Sequence, residues 1–368
     1  MADRGGRFKA FAKRGAALVL SLLVGFALVE LLLRILDYTP AVSSPLSGFH
    51  RTDPDLGWRG VPGYSGRFKT RLFDIPVETD GEGFRKGAEA EVEEGAPDLW
   101  VLGDSTVWGW GVAAGELFTD HLQKAAGPGL RVRNYGINAY GTLQERLLLE
   151  QLLESRSAPA KLLLMVCAND FDDNLTSKNG TAPHLVATEA GWEIANQPVA
   201  SRIGGISSVL ARRSRACAFL SYCTAVAKEL RRQRGKATEA ARAGAAGELS
   251  PELPEGFSGD RAEAMALLLG QIAELCEGRS VPVEIAVYPL LGDPGIRSAA
   301  SVTVERICDG LPGVRFVEIE SGLAEGREDL FFGSGDFHWN AEGNRRGAEA
   351  YLSRTGFIVP TRPLDRDP

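Results

Sequence analysis

The longest uninterrupted apolar stretch lies at the front of the chain. Gly15 to Val29 reads GAALVLSLLVGFALV without a charge, and Leu31–Leu33, Ile35 and Leu36 extend it past Glu30 and Arg34. On a helix those two charged residues stand one turn apart and partly neutralise each other. Roughly 20 such residues, at about 1.5 Å each, span a bilayer core. The pattern predicts a transmembrane helix over 15–37. From Leu99 onward the rhythm changes to short apolar runs that alternate with amphipathic ones. The runs predict strands at Leu99–Leu102, Arg131–Tyr135, Lys161–Cys167, Val283–Tyr288 and Val314–Ile319. Helices are predicted at Glu116–Ala126, Leu143–Ser155, Arg261–Glu277, Ala299–Asp309 and Ala341–Ser353. Strands that are apolar throughout, with helices between them, predict an α/β domain in which a parallel sheet is covered on both faces.

Two stretches break this rhythm. Residues 38–98 are rich in Pro, Gly and charge, and Pro45, Pro54 and Pro62 argue against helix there. Alternation within RFKTRLFDIPVETDGEGFR, from Arg67 to Arg85, predicts a β-hairpin inside an otherwise linker-like segment. Between Asp170 and Ala262 the alternation of strand and helix fails, and a structureless loop of that length is uncommon in a compact domain. The stretch from Ala211 to Glu248 is helix-compatible and basic, then Ala- and Gly-rich. A helical insertion at about 180–260 is expected, either capping an active site or standing as a solvated basic helix. The expected organisation is a cytoplasmic basic stub at 1–14, a signal anchor at 15–37, a linker with a hairpin at 38–98, and one domain at 99–358.

Charge supports the front of this picture. The 368 residues carry a formal net charge of -7, yet Arg4, Arg7, Lys9, Lys13 and Arg14 face only Asp3 within the first fifteen. Basic residues flanking an apolar helix stay in the cytoplasm, which places the body outside the cell membrane. A cleaved signal peptide is the rival reading, but no convincing small-residue cleavage site follows Leu36. An acidic body argues against nucleic-acid partners, which require a basic surface. Cysteines stand at 167, 217, 223, 276 and 308. An odd number leaves at least one unpaired within the chain, and both a Cys217–Cys223 bridge and free thiols remain open.

Candidate chemistry gathers where strands end. The strand LWVLG runs directly into Asp104 and Ser105. In doubly wound sheets ligands bind beyond the carboxyl ends of the strands, so a serine there is placed for reaction, although Ser is also a common helix cap. The second strand ends in Asn134-Tyr135-Gly136, and the third, KLLLMVC, ends at Ala168-Asn169-Asp170. Of four histidines, His50 lies in the linker, His121 inside a predicted helix and His184 in the insertion. Only His338, in Asp336-Phe337-His338-Trp339-Asn340 just before the last helix, has an acid two residues away in a loop-to-helix setting.

These residues resemble the SGNH/GDSL hydrolase family. Gly103-Asp104-Ser105 is similar to its first block, Gly136 in NYGINAYGT to the second-block glycine, Asn169 in CANDFDDN to the third-block asparagine, and Asp336 with His338 to the fifth. The resemblance runs from about Leu99 to Ser353, outside the insertion. It implies a three-layer α/β/α, flavodoxin-like SGNH fold with a central parallel five-stranded sheet, added to the one N-terminal transmembrane helix. It further implies Ser105 as nucleophile, His338 as base, Asp336 as its orienting acid, and an oxyanion hole formed by Ser105, Gly136 and Asn169, with Asp104 and Asp170 shaping their turns. Two departures stand out: Cys167 occupies the place of the usual third-block glycine, and the acid sits two rather than three residues before His338. The shorter spacing occurs in membrane-associated relatives such as alginate-type O-acetyltransferases.

The implied activity is hydrolysis of an acyl ester, most simply acetyl, on an extracytoplasmic glycan or lipid through an acyl-enzyme. O-Acyl transfer to an exported polysaccharide is the alternative enzyme reading, and a non-catalytic glycan-binding module the alternative of another class. No cofactor or metal is expected. Gly109-x-Gly111-x-x-x-Gly115 lacks dinucleotide spacing and stands beyond the strand–helix turn, and neither a Walker A lysine motif nor HExxH occurs. Trp108, Trp110 and Trp339 near the site fit sugar stacking and core packing equally well.

Overall fold

The computed structural model describes residues 4–36, 48–70, 72–178, 180–200, 214–220, 223–224, 257, 259–289, 297–333 and 336–356. They fall into two compact units. In the first, helix α1 (Arg4–Ile35) contains the segment Lys13–Ile35, 23 residues with mean hydropathy 2.6 and none of its most apolar window buried. It is long and apolar enough to cross a membrane. Glu30 and Arg34 pair at 2.7 Å, and Glu30 also accepts hydrogen bonds from the Ser214 hydroxyl and the Ala216 N–H, both at 2.8 Å. Residues 215–220 are helical. The rest of the expected insertion beyond Ala200 lies largely outside the described residues.

The second unit opens with four short strands, β1 (His50–Asp53), β2 (Gly57–Gly60), β3 (Ser65–Lys69) and β4 (Asp74–Glu78). β1 pairs with β2 antiparallel, and β3 with β4. From Phe49 onward this stretch is therefore not a linker. Phe49, Leu56, Trp58, Phe68 and Val77 are buried, the Phe49 ring stacks on Trp108 at 4.9 Å, and the Trp58 indole donates to the Asn138 carbonyl at 3.0 Å. Burial of large rings against the domain overrides the polar composition that suggested a spacer.

The sheet domain follows as β5 (Asp98–Gly103), α2 (Ser105–Trp108), α3 (Phe118–Ala126), β6 (Arg131–Gly136), α4 (Thr142–Ser155), β7 (Lys161–Cys167), α5 (Asp170–Asp173), β8 (His184–Thr188), β9 (Gly191–Ala195), α6 (Asp260–Glu277), β10 (Val283–Tyr288), α7 (Ala299–Cys308), β11 (Val314–Phe316) and α8 (Ala341–Thr355). The order β11-β10-β7-β5-β6 is parallel throughout and flavodoxin-like. Period-two alternation sends Leu99, Val101, Leu163 and Met165 toward the core shared with α3 and α8. Trp100, Leu102, Leu162 and Leu164, equally buried, belong to the opposite side of the strands, and α4 packs on α6 and α6 on α7. Three layers result. β11 stops at Phe316, short of the expected Ile319, and β8 with β9 form an antiparallel hairpin inside the stretch expected to be helical.

Candidate active site

Register places the site. Gly103 of β5 lies opposite Gly136 of β6 and Met165 of β7, so these three neighbouring parallel strands end on the same side of the sheet. The chain order reverses between β5 and β7, the switch point at which open sheets of this kind bind ligands. Asp104 caps α2 by accepting the Thr106 N–H at 2.8 Å, which makes Ser105 the first helical residue. Its N–H thus lies among the donors without an intrahelical acceptor. After β7, Asp170 instead reaches back and accepts the Cys167 N–H at 2.9 Å, which ties down the turn that follows the strand.

Ser105 Oγ stands 2.7 Å from His338 Nε2, and His338 Nδ1 stands 2.7 Å from Asp336 Oδ1. Asp336 Oδ1 also accepts the His338 backbone N–H at 2.9 Å, a short loop-back that the two-residue spacing permits. With Nδ1–H directed to the carboxylate, the Nε2 lone pair is free to accept the serine proton. Ser105 and His338 are only 7% and 8% exposed, so the relay works largely out of water. Burial acts to raise the Asp336 carboxyl. Hydrogen bonds from the His338 ring, the charge of that ring and the Trp110 indole outweigh it and hold the group below the ordinary range.

Asn169 reaches the same place from β7. Its Nδ2 donates to Asp173 Oδ2 at 2.8 Å and lies 3.5 Å from Asp104 Oδ2, the oxygen that Ser105 Oγ also approaches at 3.5 Å. One amide hydrogen is committed to Asp173 and the other has only long contacts. The structure thus brings Ser105, Asn169, Asp336 and His338 together.

Gly136 requires a correction. Its N–H already donates to Asn134 Oδ1 at 3.0 Å, so it presents no open donor. Its lack of a side chain serves packing instead: a Cβ there would stand 2.3 Å from the Trp108 nitrogen and 2.7 Å from the Val107 carbonyl carbon. The residue that sequence reasoning missed is Ala139, three positions later. It adopts φ 62°, is half-buried, and its N–H has no acceptor among the described residues. Its carbonyl accepts from Lys178, whose ammonium pairs with Asp173 at 2.9 Å. Alanine carries no mark of a left-handed backbone, so the sequence offered no signal.

The tryptophans separate. Trp108 and Trp339 are core residues; Trp339 seats against α8, where Gly347 leaves room for its ring. Trp110 stacks on His338 and packs edge-on against Phe68 and Phe73. Cys167 is buried, and burial pushes its thiol up, so it is an inert packing residue; Cys217 and Cys223 are free. No group of His, Cys, Asp and Glu among the described residues is arranged to hold a metal ion.

No protein-family model matches the chain, and no curated protein sequence does. Solved structures do. A lipolytic protein of the G-D-S-L family from Veillonella parvula is 13% identical, with 71% of this chain and 99% of that one covered at a TM-score of 0.39. A family 3 carbohydrate esterase from Clostridium thermocellum is 12% identical, with 72% and 97% covered at 0.40. AlinE4, an SGNH-hydrolase family esterase, is 16% identical, with 74% and 95% covered at 0.35. The chain is similar to GDSL/SGNH hydrolases.

Proposed function

We propose that the protein is a serine esterase that removes an acyl group, most simply acetyl, from a glycan or lipid outside the cytoplasm. The observation that carries this reading is the buried relay Ser105 Oγ–His338–Asp336, with both links at 2.7 Å. His338 Nε2 takes the hydroxyl proton as Ser105 Oγ attacks the ester carbonyl, and Asp336 steadies the imidazolium. The tetrahedral oxyanion is met by the Ser105 N–H, the Ala139 N–H and Asn169 Nδ2. His338 returns the proton to the departing alcohol, leaving acyl-Ser105. Water, deprotonated by the same histidine, then releases the acid and restores the serine.

A fluorophosphonate probe should label the full-length protein at Ser105, and small acetyl esters should be hydrolysed. Ser105→Ala removes one hydroxyl at a strand end and should leave the fold intact while abolishing both signals, since such nucleophiles supply about 10⁶-fold in kcat. Residual hydrolysis within about tenfold of the parent would remove Ser105 from this role, because a nucleophile's loss is far larger. Comparing acetylated polysaccharide with small acetyl esters identifies the preferred carrier. Adding a sugar acceptor distinguishes hydrolysis from transfer by the product formed.

A further inference from the structure

Trp110 connects the two halves of the relay, which lie far apart in sequence. Its backbone N–H donates to the Ser105 carbonyl at 3.0 Å, so the residue is tied to the turn that carries the nucleophile. Its indole lies against the His338 ring with centroids 4.8 Å apart and planes 21° apart. The indole Nε1–H donates to Asp336 Oδ2 at 3.3 Å, across 226 residues of sequence. On the other side, Phe337 stacks on the same imidazole at 4.3 Å and 25°. The imidazole is held between two aromatic rings, and the oxygen of Asp336 that does not face it is occupied by the indole.

The glycines around Trp110 acquire a purpose here. Gly109 and Gly111 take φ of 89° and 79°, left-handed conformations that favour glycine. A Cβ on Gly111 would stand 2.5 Å from the Phe332 ring and 2.9 Å from Phe73. The Trp-Gly-Trp-Gly sequence therefore turns the chain sharply on both sides of one indole. Edge-on rings from the N-terminal strands then fix it, Phe68 at 4.8 Å and Phe73 at 5.7 Å.

We infer that Trp110 is a positioning residue: a strut between the Ser105 turn and the Asp336–His338 pair that sets the plane of the imidazole and its distance to the serine oxygen. This rests on the assignment of Ser105, His338 and Asp336 given above. The stacked faces also favour the imidazolium that forms as the proton moves, because a cation is attracted to a ring face. Trp110 itself gains or loses no proton and forms no bond to substrate. Its contribution is geometric, and such placement is worth about 10²-fold for a 1 Å error.

Two variants of the full-length protein separate bulk from stacking. Trp110→Leu keeps an apolar side chain without a ring or N–H, whereas Trp110→Phe keeps the ring. Trp110→Leu should lower kcat by about 10²-fold with KM little changed, and slow fluorophosphonate labelling by a similar factor. The low-field proton resonance of the His338–Asp336 hydrogen bond should broaden or vanish. Trp110→Phe should restore the resonance and most of kcat. A folded Trp110→Leu protein with parental kcat and an intact low-field proton would overturn the inference. The magnetic-resonance measurement decides the point whether or not the parent turns over acetyl esters, so failure of the esterase reading is seen separately, as absence of turnover and labelling in the parent.

Discussion

Asn169 is oriented before any substrate arrives, because Asp173 accepts from its Nδ2 at 2.8 Å and Lys178 in turn pairs with Asp173 at 2.9 Å. A donor held in advance needs no reorganisation when charge develops on the oxyanion, which is where such groups act. Asn169→Ala should therefore lower kcat by about 10²–10³-fold. It removes nothing that titrates, so the pH dependence of kcat/KM should keep its parental shape. His338→Ala should lose most of the rate. An unchanged rate in Asn169→Ala would take the amide out of the oxyanion hole. At this scale the sequence pointed to Ser105, Asn169, Asp336 and His338 as candidates, because each is a reactive or polar residue at a strand end or before a helix. It did not reveal Ala139 or Trp110. A positive φ at alanine is a product of the surrounding loop, and the face against which Trp110 lies is supplied by a residue more than two hundred positions away.

Three elements bury carboxyls behind the site: Asp104 at the start of α2, Glu145 on α4 and Asp170 on α5. Both Glu145 oxygens are buried without a hydrogen-bond partner among the described residues, and burial followed by repulsion from Asp104 pushes its carboxyl well above the ordinary range. Burial and Glu145 do the same to Asp170. The folded protein thus holds a proton that the unfolded chain releases once the pH passes about 4.3, the ordinary glutamate value. Stability from this source is complete below that pH and is lost as the pH rises toward the folded value, with a limiting slope of about 1.4 kcal/mol per unit for one proton. Glu145→Gln removes the titration, so in denaturant melts its stability relative to the parent should improve as the pH rises from about 5, just above the ordinary glutamate value, toward the raised value of the folded carboxyl. A gap that stays constant over that range would show that Glu145 does not exchange a proton on unfolding. The elements themselves were mostly legible. β7 and β10 are buried along their whole length and apolar apart from the Lys161–Glu284 pair, as suits internal parallel strands. The pairs β1–β2 and β8–β9 were missed because four- and five-residue strands of mixed burial carry no readable alternation.

For the whole molecule, α1 bears on where the sheet domain resides. The apolar part of α1, Lys13–Ile35, has 23 residues. At about 1.5 Å per residue that exceeds the roughly 30 Å of a hydrocarbon core. Leu18, Leu22, Leu28 and Leu32 are exposed along it, so among the described residues no protein surface covers those side chains. Lys9, Lys13 and Arg14 precede the apolar stretch, and such residues are retained on the cytoplasmic side. The Glu30–Arg34 pair, bonded at 2.7 Å, lowers the cost of the two charges near the other end. We expect the protein to remain in the membrane fraction through high-salt and alkaline washes, because the attachment is apolar rather than electrostatic. A reporter enzyme active only outside the cytoplasm, fused after Pro368, should work. Removal of residues 1–36 should release the domain from the membrane with its fluorophosphonate labelling retained, since Ser105, His338 and Asp336 all belong to the other compact unit. Recovery of the full-length chain as a soluble cytoplasmic protein, or a silent reporter on a well-expressed fusion, would exclude the anchor and with it an extracytoplasmic substrate.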